Sequence, residues 1–276
     1  MPEDSRPEWG DVDSAADEAS AYLETVTGLD AIQEFKRRSH RLLRPRDGDR
    51  VLDVGCGIGD DVLALADRVG PDGTVVGVDK SGELIEEARS RAGDAATAQF
   101  RVGDATDLDI RDDTYDASRA DRVLQHLETP REALSEMCRV TRPGGRLAVT
   151  DPDWGTLVVE AAGVDPEQTG SVTDTRWAVA RQPTMGRRLY GLAQDAGLTD
   201  VTVDTGTVVL TTFPAAREVY NLEDRLGAMR EAGAVSADAA DEWLAGVREA
   251  AADDRLFAAM SGVTVAGTVP PDDTRG

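Results

Sequence analysis

The chain has 276 residues, enough for one large core, since single cores stop growing near about 250–300 residues. Its 53 acidic against 30 basic residues leave a formal charge of −23, a surface that repels phosphate backbones and anionic membranes, so neither nucleic acid nor membrane is expected as a partner. Cys56 and Cys138 are too few for a disulfide framework, and no stretch has the length of a signal core or a membrane span. A cytoplasmic protein is expected, and its acidity reads as adaptation to high salt.

Along the chain, residues 1–14 are polar, and then Ile32, Phe35, Leu42 and Leu43 recur at helical spacing between Gly28 and Pro45. This predicts a helix before the first strand. Strands are expected at 50–54, 74–79, 99–103, 114–119 and 145–150, alternating with helices at 60–69, 82–92 and 130–140. Ser81 is the expected N-cap of the second of these helices, and Pro143-Gly144-Gly145 the turn into the fifth strand. After Asp151 the rhythm changes: helix 173–196, strand 201–210, helices 214–231 and 236–252, and a final strand at 256–267. The seven strands, mostly in alternation with helices, predict a doubly wound, mostly parallel α/β sheet of Rossmann-like type with a helical insertion near the C-terminus.

The segment VLDVGCGIGDD, residues 51–61, is a buried strand followed by Gly55, Gly57 and Gly59 and a helix start. Glycine there permits a tight turn and close backbone approach to a ligand, and the helix N-terminus offers unpaired N–H groups. The spacing is Gly-x-Gly-x-Gly, and the next two residues are Asp60 and Asp61. These carboxylates would repel a pyrophosphate but not a cationic sulfonium, and no Gly-Lys-Ser/Thr marks a triphosphate loop. The second strand ends in Asp79, placed to accept ribose hydroxyls, and the third leads into Asp104-Ala105, a short carboxylate beside a small residue that leaves room for an adenine ring. Three strand ends thus converge on one nucleoside site.

The pieces VLDVGCGIGD at 51–60, VVGVDKS at 75–81, FRVGDATDL at 100–108, YDASRADRVLQHL at 115–127 and RVTRPGGRLAVTDPD at 139–153 resemble the class I S-adenosylmethionine-dependent methyltransferases, in particular the ubiquinone/menaquinone and small-molecule group. The resemblance covers roughly residues 30–150. It implies S-adenosyl-L-methionine as cofactor, with Asp53 among the cofactor-binding residues, Gly55, Cys56 and Gly57 along the methionine part and Asp79 at the ribose. Lys80 would lie by the adenine, Asp104 and Ala105 at its edge, and Asp121 and Arg122 near the methionine end. The fourth strand departs from the family pattern, with Ser118, Arg119, Ala120 and Asp121 where relatives usually carry an apolar run. By the same resemblance, residues 1–45 form a helical lid in which Tyr22 and Phe35 could close over the cofactor, Phe35 fitting plain core packing as well. Residues 46–151 form the cofactor-binding core, and 152–276 carry the acceptor-site helices and the last two strands.

Methyl transfer needs positioning above all, and a base only where the acceptor must lose a proton. His126, one of two histidines, stands just beyond the fourth strand and is the candidate base or a rim residue. Asp153, after the fifth strand, could orient an acceptor or take its proton, with Trp154 walling the pocket. No residue spacing suggests a metal site. The expected acceptor is a small molecule, methylated at O, N or C by a chain acting alone or as a homodimer. A protein or RNA acceptor, or a cofactor-binding module without catalysis, remains the alternative.

Overall fold

The computed structural model describes Leu23, Val26 and residues 28–271; Tyr22 lies outside the described residues. A helix, α1 (Asp30–Leu43), precedes an alternating run of β1 (Arg50–Val54), α2 (Asp60–Val69), β2 (Thr74–Asp79), α3 (Gly82–Ala92), β3 (Ala98–Val102), β4 (Tyr115–Asp121) and α4 (Pro130–Val140). Next come β5 (Thr141–Ala161), α5 (Pro166–Val172), α6 (Met185–Asp195) and β6 (Thr199–Leu210). The last elements are α7 (Phe213–Val219), α8 (Leu222–Glu231), α9 (Ala237–Ala252) and β7 (Leu256–Thr268).

The seven strands form one sheet in the order β3-β2-β1-β4-β5-β7-β6. Pairing is parallel from β3 to β5, whereas β7 runs antiparallel to both β5 and β6. The order reverses direction at β1 and β4. The switch point, where an open α/β sheet leaves a crevice at its carboxyl edge, therefore falls between these two strands.

Local chemistry explains the elements. The strands β1 and β2 are near-continuous apolar runs because helices cover both faces of this part of the sheet. Ser81 caps α3 by accepting from Leu84 N at 3.2 Å, and Pro130 opens α4, where a missing N–H costs nothing. One apolar layer joins Leu43, Val51, Leu65, Val75 and Ile85. A second joins Leu52, Val54, Leu134, Val149 and Leu189 on the opposite face. Each fully buried side chain of this size contributes about 1.5–3 kcal/mol relative to exposure.

Beyond Asp151 the chain differs from the sequence-based expectation in three places. β5 does not stop at residue 150 but continues to Ala161, pairing with β7 on both sides of a bulge between Asp153 and Val158. The expected helix 173–196 is instead a 3-10 turn at Thr175–Trp177 and the helix α6. Pro183 cannot donate to a helix and disfavours helical geometry at Gln182, whose N–H donates to Gln125 O at 2.7 Å instead. The expected helix 214–231 is split into α7 and α8 at Asn221, which takes a left-handed φ of 50°. The extended parts of β5, β6 and β7 carry a third apolar cluster, in which Trp154, Leu157 and Met260 meet Tyr220, Leu226 and Trp243 of the C-terminal helices.

α1 lies across this assembly. Its Phe35 ring sits over β6 and β7 where both strands carry glycine: a methyl group would come 2.8 Å from the ring at Gly206 and 2.5 Å at Gly262. Arg38 adds an ion pair to Asp204 at 2.8 Å.

Candidate active site

The glycine loop leaves β1 with Gly55 at φ 71° and Gly59 at φ 85°, conformations that side chains resist. A methyl group on Gly55 would come 2.2 Å from Val123, which follows β4, so the two crevice walls meet here in backbone-to-side-chain contact. The loop is pinned from the second strand. Gly55 N and Cys56 N donate to Val78 O at 2.7 and 3.1 Å, and Gly57 N donates to Asp79 Oδ2 at 2.9 Å. Asp79 Oδ1 accepts from Ser81 N at 3.0 Å, so backbone donors orient both carboxyl oxygens and lone-pair capacity remains for a hydroxyl. Burial pushes its carboxyl upward, against the pull of these backbone donors.

Asp104 is exposed and folds back on Thr106, accepting from its N at 2.8 Å and its Oγ1 at 2.7 Å, and these bonds, the hydroxyl's first, hold its carboxyl below the usual range. Ala105 is half-buried beside it, and Lys80 is exposed at the end of β2. Asp79, Lys80, Asp104 and Ala105 thus share one edge of the crevice. Cys56 offers its backbone, because its thiol is buried against Gly77 and burial drives it far above the thiol range.

Asp53 and Asp121 belong to a buried charge cluster that the sequence did not announce. Asp53 and Arg119 are cross-strand neighbours in the β1–β4 register, and Arg119 Nη1 lies 2.9 Å from Asp53 Oδ1 and 3.2 Å from Asp61 Oδ2. Its Nη2 donates to Asp121 Oδ2 at 2.8 Å. From α1, Lys36 Nζ reaches Asp61 Oδ2 at 2.7 Å and His40 Nε2 reaches Asp61 Oδ1 at 2.8 Å. Burial pushes Asp53 up to about 7. It works on Asp61 too, but Arg119 and Lys36 outweigh it and hold that carboxyl well below the usual range. Burial lowers His40 despite its bond to Asp61. Asp53 is therefore sealed behind the loop, whereas Asp121 stands at the end of β4 beside Arg122, whose Nε lies 3.6 Å away and whose φ is 60°.

On the acceptor side, the 3-10 turn Leu124–His126 follows β4. Burial, helped by nearby Arg122, brings His126 down to about 4, so its imidazole is neutral at physiological pH. Gln125 is the hub of this region. Its N–H donates to Asp151 Oδ1 at 3.3 Å, its Oε1 accepts from Trp154 Nε1 at 2.8 Å, and its carbonyl takes the Gln182 bond. Asp151 is fully buried, its Oδ2 has no partner among the described residues, and burial holds its carboxyl well above the usual range. Asp153 is buried and bound by Arg187 through Nε and, at 2.8 Å, through Nη2. A carboxylate held by two guanidinium bonds is fixed in orientation, which suits an orienting role. Gln125 carries no signal in the sequence because its partners Asp151, Trp154 and Gln182 lie far away in the chain, whereas the polar run Ser118–Asp121 marks the Arg119 cluster and Arg187 pairs with a carboxylate as the arginines of this acidic chain were expected to.

The residues present fit an adenosyl sulfonium ligand: a loop that a single Cβ would block, the Asp79 carboxyl at the end of β2 for hydroxyls, and the Asp121 carboxyl at the end of β4 for a positive charge. Among the described residues no group of His, Cys, Asp or Glu could hold a metal, and no helix is long and apolar enough to cross a membrane.

Residues 45–197, more than half of the chain, match the family model described as a methyltransferase domain. The chain is 37% identical over 234 residues to an uncharacterized 37.1 kDa protein in a transposon of Streptomyces fradiae, covering 84% of this chain and 67% of that one. It is 38% identical over 120 residues to 2-phytyl-1,4-naphtoquinone methyltransferase of Synechococcus elongatus, covering 42% of this chain and 52% of that enzyme. The chain thus spans two thirds of the first relative and about half of the second. Among solved structures, the YcgJ protein of Bacillus subtilis superposes with a TM-score of 0.60 at 18% identity over 87% of this chain and 99% of that one, which supports the fold.

Proposed function

Because this chain belongs to the class I S-adenosylmethionine-dependent methyltransferases, we propose that it transfers a methyl group from S-adenosylmethionine to a small-molecule acceptor at O, N or C. The observation that carries this reading is the crevice between β1 and β4: the glycine loop and Asp79 on one wall, and on the other the Gln125–Trp154–His126 cluster beneath the C-terminal helices. The matched naphthoquinone methyltransferase acts on a small molecule by its name, and the acidic surface disfavours RNA.

The cofactor supplies a methyl carbon already activated by its sulfonium, so most of the rate enhancement comes from holding the acceptor atom in line and excluding water. In this reading Asp79 anchors the ribose, and the Gly55–Gly57 backbone fixes the methionine part against Val123. Trp154, locked by its bond to Gln125, walls the acceptor pocket. Where the acceptor must lose a proton, neutral His126 receives it, while Asp153 and Arg187 orient the β5 bulge beside it. Transfer of labelled methyl groups into fractionated cell extract tests the proposal. Label is expected in small molecules; label confined to protein or RNA would overturn the acceptor class, and no label in any fraction would favour a binding module.

A further inference from the structure

Resting on that placement of the cofactor, we infer that the buried cluster around Arg119 is a proton-linked counter-charge for the sulfonium: binding S-adenosylmethionine, but not its neutral demethylated product, expels a proton from it. Charges in this enclosed space do not cancel. Three carboxylates take part, Asp53 from β1, Asp61 from α2 and Asp121 from β4, with side chains 3%, 11% and 7% exposed. Two basic side chains face them, Lys36 from α1 and Arg119 from β4, 8% and 2% exposed.

The remaining charged groups do not close the gap. His40 is held neutral by burial, and Arg68 acts on it only through space. Asp151, which also faces Asp121, is pushed by burial toward its uncharged form. Arg122 touches Asp121 at 3.6 Å with its side chain a quarter exposed, where water screens it. One negative charge is left over, and a proton on Asp53, raised toward neutrality by burial, balances it in the free protein. Arg119 carries the link: one guanidinium joins Asp53 and Asp61 through Nη1 to Asp121 at the crevice through Nη2. A positive sulfur arriving beside Asp121 supplies the missing charge, and the Asp53 O–H gives its proton to the solvent. No covalent bond of the cofactor changes in this step.

The pair of ligands isolates the effect, since the adenosine and amino-acid parts, including everything that meets Asp79, are common to both. Calorimetry of the full chain with S-adenosylmethionine and S-adenosylhomocysteine, in two buffers of different ionisation enthalpy, counts the protons directly. Release of a fraction of a proton is expected near pH 7 with the first ligand and none with the second. Affinity for the first should rise several-fold, and by at most about tenfold per pH unit, between about pH 6 and 8, then level off. Asp53→Asn should abolish the difference. If that variant does not fold, Asp121→Asn, which leaves two carboxylates against two basic side chains, should likewise abolish the proton release. Equal proton release with both ligands, or none with S-adenosylmethionine, would overturn the inference. Failure of either ligand to bind would instead overturn the reading of the crevice on which it rests.

Discussion

Gln125, next to His126 in the turn after β4, donates its N–H to Asp151, and burial acts on the two titratable groups, His126 and Asp151, in opposite chemical senses. It lowers the imidazole to about 4 and pushes the carboxyl well above its ordinary range. If His126 accepts a proton from the substrate, His126→Asn should lower kcat by about a hundredfold or more while the calorimetric affinity for the cofactor stays unchanged. The limb of the wild-type kcat profile that belongs to this group should lie near pH 4; a limb near the ordinary histidine value would show that the ring is solvated in the working enzyme. Asp151 has the reverse linkage. Its folded pKa exceeds the unfolded one, so its contribution is neutral below the unfolded carboxylate range and becomes a growing cost as the pH rises above it. Asp151→Asn keeps the acceptor for Gln125 N and removes that cost. Urea titrations should show the variant gaining stability relative to wild type at pH 8 compared with pH 5, and a difference independent of pH would contradict the assignment.

At the scale of elements, the glycine loop and the ends of β1, β2 and β3 were legible because their constraints are local: Gly55 and Gly59 adopt positive φ, and Ser81 caps the helix that follows it by three residues. The segment 173–184 was not, because its backbone is claimed by Gln125 and by Trp154, whose N–H bonds Pro183 O at 2.8 Å, contacts that helical periodicity cannot reveal. The same holds for α1. Its apolar stripe predicted a helix, but its seating depends on Lys36 and His40 meeting an aspartate 25 and 21 residues away, and on Phe35 fitting over two glycines from the far end of the chain. Removing one partner of a buried ion pair typically costs about 3–5 kcal/mol. Lys36→Met should therefore destabilise the protein by that order in urea titrations, with loss of hydrogen-exchange protection first in α1. A change limited to a few tenths of a kcal/mol would mean that α1 is held by Phe35 alone.

Across the whole molecule, one sheet does two jobs. Its parallel half, β3 to β4, builds the cofactor edge, and the elongated β5, β6 and β7 carry the cluster of C-terminal helices beside it. Folding 53 acidic residues against 30 basic ones into one body brings like charges together, and salt screens that repulsion. The midpoint of thermal unfolding should rise steadily as potassium chloride is raised from about 0.1 M, where the screening length is near 10 Å, to 1 M, where it is about 3 Å. A flat or falling midpoint would show that the surface acids are already neutralised by their arginine partners.

The account turns on Asp79 and the loop it pins through Gly57. Isothermal calorimetry of wild type and Asp79→Ala with S-adenosylhomocysteine and with a nicotinamide dinucleotide tests this most directly. Wild type should bind S-adenosylhomocysteine at one site per chain, and the variant about tenfold or more weaker, since a hydrogen bond to a charged group is worth about 1.5–3 kcal/mol. Binding of the dinucleotide in place of S-adenosylhomocysteine, or equal affinity in the two proteins, would contradict it.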